Sequence, residues 1–202
     1  SIYGAIHSSE KRKYIYAYWS GIDDLSHLYG KEHVKPRKQL EAIDRVLRNF
    51  TKRLEGTNTL LIITADHGQV TTTRKRTILI NKHPLLQQCL RLPLCGEHRA
   101  VICYVHKEKR KQFEQYVKLK MRKYCTLHRA EEMVEYFGKV GRGKCEHPEF
   151  RNRIGDYILL MKENYILRQR LPKDRKKGFQ RGHHGGLSRE EMEVPVVRVR
   201  VK

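Results

Sequence analysis

The spacing of hydrophobic positions changes several times along the chain. In residues 13–19, "KYIYAYW", tyrosines at 14, 16 and 18 alternate with Ile15 and Ala17, and β-formers dominate, which predicts a strand. The next segment, "SGIDDLSHLYG", is polar and glycine-bounded, and reads as a loop at that strand's carboxyl end. The period then lengthens. From Pro36 to about residue 55, Leu40, Ile43, Val46, Leu47, Phe50 and Leu54 recur at three-four spacing, the mark of a helix with one apolar face, and Gly56 supplies its stop. Residues 59–64 are almost continuously apolar, as in a strand covered on both faces. Strand, loop, helix, strand and loop in that order predict one βαβ unit, a parallel sheet, and chemistry at the carboxyl ends of its strands.

The middle of the chain has a different character. Residues 76–80 and 99–105 ("RAVICYV") predict short strands. Residues 108–124 predict a strongly charged helix carrying Phe113, Tyr116, Val117 and Met121, and 129–137 predict a second helix. A glycine-rich basic loop, "GKVGRGKCEHP", leads to a strand at 154–161, "IGDYILLM". We therefore expect a core segment at 1–80, an inserted α+β lobe at 81–152, and a return at 153–202, with the strand near 156–162 rejoining the main sheet. The closing stretch "GHHGGLSREEMEVPVVRVRV" reads as a glycine loop, a helical turn at 188–191 and a final strand from Pro195. Ser188 followed three residues later by Glu191 fits a capping box.

Length and composition bound the partners. At 202 residues the chain can bury one substantial core and a smaller lobe. No apolar run approaches the roughly 20 residues that cross a bilayer, and no signal-peptide pattern opens the chain, so a soluble, cytoplasmic protein is expected. The net charge of +21 favours anionic partners, including nucleic acid, nucleotides and phospholipid head groups. Lysine and arginine are spread along the whole length, however. The densest cluster, "RQRLPKDRKKGFQR" at 168–181, has one aromatic, Phe179, and no nucleic-acid-binding signature, which favours a solvated loop. Cys89, Cys95, Cys103, Cys125 and Cys145 show no C-x-x-C spacing, and their number is odd; structural thiols in a reducing compartment are expected.

Chemistry concentrates in three segments. Asp23 and His27 stand as D-x-x-x-H after the first predicted strand, Asp66 and His67 stand side by side after the next, and His183 and His184 precede paired glycines. Taken singly, such a pair is more often a capping carboxylate beside a surface imidazole. Together, carboxylates and neutral imidazoles form the donor set of catalytic zinc, or of manganese where oxygen donors dominate. Glycines at 68, 185 and 186 would let the backbone approach closely where those donors converge.

"YWSGIDDLSHLYG", "LLIITADHGQV" and "GHHGGLSREEMEVPVV", in that order, resemble three signature segments of the alkaline phosphatase superfamily, and within it the type I phosphodiesterase/nucleotide pyrophosphatase family. Weaker likeness runs through "GEHRAVICYV" and "RIGDYILLM". The resemblance implies an α/β, three-layer sandwich with a mostly parallel central sheet, and two divalent ions, usually zinc, bridged by the phosphate of an ester or nucleotide substrate. Carried over by position, Asp23, His27 and His184 would hold one ion, while Asp66 and His67 would help hold the other. His183 would be a neighbour of the site and Asp24 structural. Glu190, Glu191 and Met192 are expected to cap and pack the last turn.

The family pattern also contains an earlier strand ending in a metal-binding aspartate, then a Thr or Ser nucleophile at a helix start. "SIYGAIHSSEKR" resembles neither, and Ser8 and Ser9 have no aspartate ahead of them. On this reading the chain corresponds to a C-terminal portion with an incomplete sheet, a weakly held second ion and little turnover of its own. The alternatives are a catalytically inactive remnant, or a basic protein that binds nucleic acid or phosphate on a hydrolase scaffold.

Overall fold

A computed structural model describes residues 1–138, 147–172 and 178–201. Most of the glycine-rich loop expected at 138–148, and the middle of the basic cluster at 168–181, lie outside those residues. Helix α1 (Ile2–Ile6) is capped by the Ser1 side chain, which accepts from the Gly4 N–H at 3.2 Å. Residues 13–19 then depart from expectation: among the described residues they pair with no strand, and Tyr14 is 91% exposed. Alternation fixes which side chains share a face, but a strand also needs a neighbour for its N–H and C=O groups. Among the described residues none lies beside this segment.

The segment read as a loop is helix α2 (Gly21–Tyr29), with Asp23 and Asp24 in its first turn, where the partial positive charge of the helix start favours carboxylates. Helix α3 (Val34–Lys52) occupies the predicted span, with Pro36 in its first turn. Its apolar stripe is incompletely covered, and Leu40 and Val46 remain exposed. Strand β1 (Thr59–Thr64) forms where expected but runs antiparallel to the last strand of the chain, Thr59 opposite Val201 and Thr64 opposite Val196. The predicted parallel βαβ unit is therefore not made, and β1 is not buried on both faces: Leu60 and Ile62 are exposed. An apolar run marks a strand without encoding the direction or number of its neighbours.

Short ladders continue the chain. Strand β2 (Val70–Thr71) runs antiparallel to a strand near the carboxyl end, and β3 (Thr77–Leu79) is followed by helix α4 (Pro84–Gln87). Strands β4 (Cys95–Gly96) and β5 (Ala100–Cys103) lead to helix α5 (Arg110–Tyr116), which widens into a π turn at Val117–Met121. Strand β6 (Cys125–Arg129), helices α6 (Ala130–Gly138) and α7 (Phe150–Arg153), and strand β7 (Tyr157–Met161) follow. Strands β8 (Ile166–Arg168) and β9 (Gly182–His183), helix α8 (Arg189–Met192) and strand β10 (Val196–Val201) complete the order.

The largest sheet has the order β4-β5-β7-β6 and is antiparallel throughout. Strand β7, expected to rejoin the main sheet, is instead a central strand of this one. Among the described residues β3 and β8 form the parallel pair, so the parallel ladder implied by the resemblance is represented within this chain by those strands alone. The core is built on the largest sheet. Phe113, Val117 and Met121 pack against buried Val101, Cys103, Tyr157 and Leu159, each such side chain contributing about 1.5–3 kcal/mol on burial. Among the described residues no helix is long and apolar enough to cross a membrane.

Candidate metal centre

Helical geometry is what brings Asp23 and His27 together. Four residues apart on α2, they share a face, and His27 Nε2 lies 3.3 Å from Asp23 Oδ2. That helix is fastened to β9 through backbone and side chain. The Arg181 N–H donates to the His27 carbonyl at 2.7 Å, and His27 Nδ1 donates to the Gly182 carbonyl at 2.8 Å. The latter bond occupies Nδ1 and leaves Nε2 facing the Asp23 carboxylate. Two acceptors at that distance repel unless a proton or a cation stands between them.

The second and third segments meet through the β2–β9 ladder, whose register sets Val70 opposite His183 and Thr71 opposite Gly182. His67 just precedes β2 and His184 just follows β9, so the ladder carries both rings to one edge. They stack with centroids 3.7 Å apart and planes 16° from parallel. His67 Nδ1 donates to the Gly68 carbonyl at 3.0 Å, again freeing Nε2. Gly68 has no room for a side chain: a Cβ there would stand 2.0 Å from the Glu190 carbonyl oxygen. Gly182 is equally confined, its Cβ position lying 2.3 Å from the Ser26 carbonyl oxygen.

One ligand atom each from Asp23, His67 and His184 lies within 4.8 Å of the others. All three residues are half-buried. A carboxylate and two imidazoles within that span fit the donor chemistry of a zinc-type cation. His27 sits beside this group, its ring 5.2 Å from that of His184 and its Nε2 facing Asp23. Asp66 is less engaged: its Oδ1 accepts from the His67 N–H at 3.2 Å, lies 3.8 Å from His67 Nε2, and its side chain is 64% exposed. His183 is buried, donates Nε2 to the Gln180 carbonyl and faces His98 at 5.3 Å. Burial, with the neighbouring His98 acting in the same direction, lowers its pKa to about 4. Burial likewise lowers that of His184, with His67 adding to the shift, which favours the neutral imidazole a metal requires.

Several contributors carried no signal in the sequence. Gln69 is buried and its Nε2 donates to Asp23 Oδ1, fixing the carboxylate, while its Oε1 has no partner among the described residues. Tyr18 stands near enough for the charge of Asp66 first, then burial and the charge of Asp23, to raise its pKa. Glu191 does cap α8 as expected, but it also forms a buried ion pair with Arg99.

The profile of the type I phosphodiesterase/nucleotide pyrophosphatase family matches residues 4–187, and the chain belongs to that family. Solved structures of similar fold include murine ectonucleotide pyrophosphatase/phosphodiesterase 5, at TM-score 0.64 and 20% identity over 87% of this chain. An inactive form of that protein, solved in complex with AMP, matches equally. Phosphonoacetate hydrolase from Sinorhizobium meliloti 1021, in complex with phosphonoacetate, matches at TM-score 0.61 and 23% identity over 89% of this chain. At those identities the likeness establishes the α/β fold. The chain spans 44% of the length of each of these structures. No curated protein matches.

Proposed function

We propose that this chain supplies the metal-binding rim of a hydrolase acting on phosphoric diesters or nucleotide pyrophosphates. The observation that carries the reading is the convergence of Asp23, His67 and His184, from three remote segments, to within 4.8 Å. The family is generally metal-dependent. On this proposal Asp23 and His184 hold one zinc ion, with manganese the alternative. His27 or His67 completes its donors, and Asp66 contributes with His67 to a second, weaker site. Divalent cations there would stabilise the attacking and leaving oxygens of an in-line displacement and lower the pKa of a bound hydroxyl.

The chain's own groups do the positioning. Gln69 orients the Asp23 carboxylate, and the Gly182 and Gly68 carbonyls orient His27 and His67 through Nδ1. The net charge of +21 favours the approach of an anionic phosphate.

AMP binding is the test. Zinc-loaded chain should retain AMP, and the metal-stripped chain should release it; any hydrolysis of bis(p-nitrophenyl) phosphate should stop with a chelator. Equal affinity for AMP with and without metal would overturn the proposal.

A further inference from the structure

We infer that the buried Arg99–Glu191 ion pair is a positioning device that sets the His67 turn against the His184 turn. This rests on the reading above, in which those imidazoles serve a cation. The Arg99 side chain is fully buried and Glu191 nearly so. Their contact is bidentate: Arg99 Nε donates to Glu191 Oε1 at 3.0 Å and Nη2 to Oε2 at 2.7 Å. The remaining guanidinium nitrogen, Nη1, donates to the Tyr165 carbonyl at 2.7 Å, just before β8. Glu191 then reaches both ligand turns. Its Oε1 accepts the Gly186 N–H at 2.8 Å, two residues after His184, and its backbone carbonyl accepts the Gly68 N–H at 2.7 Å, one residue after His67. Its Oε2 also accepts the Ser188 hydroxyl at 2.6 Å.

A capping box needs the glutamate but has no use for an arginine. Stability alone does not call for the pair either. Removing two charges from water is costly, and apolar replacements of similar volume are often neutral or better. What a planar, bidentate fork supplies is direction. Arg99 holds the Glu191 carboxylate in one plane, and that carboxylate and its backbone hold the two turns at a fixed separation.

The experiment compares the wild-type chain with Glu191→Gln, which keeps the shape, and with the paired replacement Arg99→Met plus Glu191→Leu, which removes both charges. Three readouts are taken: melting temperature, zinc affinity by competition with a chromophoric chelator, and the nuclear Overhauser contact between the His67 and His184 rings in metal-free protein. The paired replacement should fold, with a melting temperature lowered by loss of the Gly186 and Ser188 hydrogen bonds, and should lose roughly 10- to 100-fold in zinc affinity, as loss of an orienting partner does, together with the ring contact. Folded variants that keep both zinc affinity and the ring contact would overturn the inference. If the paired replacement does not fold, Glu191→Gln decides by the same two readouts. A wild-type chain with no zinc affinity would sink the metal reading alone, and the ring contact would then decide the positioning role.

Discussion

The His67 and His184 rings stack at 3.7 Å although one belongs to the turn after β1 and the other to the turn before α8. The Gly68 carbonyl takes up Nδ1 of His67, burial lowers the pKa of His184, and Asp23 reaches the same region from α2. Replacing His67 by Ala should therefore weaken zinc binding as severely as loss of a primary ligand. His27→Ala, which removes a donor set slightly apart, should weaken it less. Titration of both variants with zinc would check the order, and a larger loss for His27 would move the primary site toward the Asp23–His27 pair.

Gly68→Ala should damage both stability and metal binding. The added carbon would stand 2.0 Å from the Glu190 carbonyl oxygen, which is backbone and has little freedom to retreat. The Gly68–Glu191 hydrogen bond would be displaced with it. A loss of about 1–3 kcal/mol, the usual cost of overpacking, should appear in urea unfolding, together with a fall in zinc affinity.

Glu191 links the same region to pH. Burial pushes its pKa up, but the hydrogen bonds from Arg99 and Ser188, the Arg99 charge and the Gly186 N–H together outweigh that and hold it below the ordinary carboxylate value. A depressed folded-state pKa contributes stability that is present above the unfolded value and lost as pH falls through the folded one. In metal-free protein, Glu191→Ala should cost on the order of 3–5 kcal/mol at neutral pH, as for breaking a buried pair. The gap to the wild type should narrow at pH below the usual glutamate range. Urea midpoints measured from pH 7 down to pH 3 would show it, and a gap independent of pH would contradict the ion-pair role.

Much of this was legible in the chain, for physical reasons that differ by element. Helix α3 was plain because Leu40 to Leu54 repeat at the helical period, and the turn at Ser188–Glu191 because a capping box is a local pattern. The three ligand segments stood out by residue type. Pairing was hidden. The alternation at Tyr14, Tyr16 and Tyr18 looks the same with or without a neighbouring strand, and nothing in "LLIIT" says that its partner is Val196–Val201 running the opposite way. Arg99 was invisible for another reason: in a chain with 43 lysines and arginines, a buried one carries no local mark. Its place at the start of the apolar run "RAVICYV" was the available hint.

The open ribbon of β1 and β10 makes a separate prediction. Leu60, Ile62 and Val196 are exposed on it, and such surfaces promote self-association. Ile62→Lys should leave stability within about 0.5 kcal/mol, as for exposed positions, while lowering light scattering at high protein concentration. A large loss of stability would mean that Ile62 is covered in solution.

Calorimetric titration of the metal-stripped chain with zinc tests the shared site most directly. The wild-type chain should bind at least one ion tightly, and both Asp23→Ala and His184→Ala should abolish that tight phase while keeping the fold. Unchanged stoichiometry and affinity in the two variants would contradict a site built from these residues.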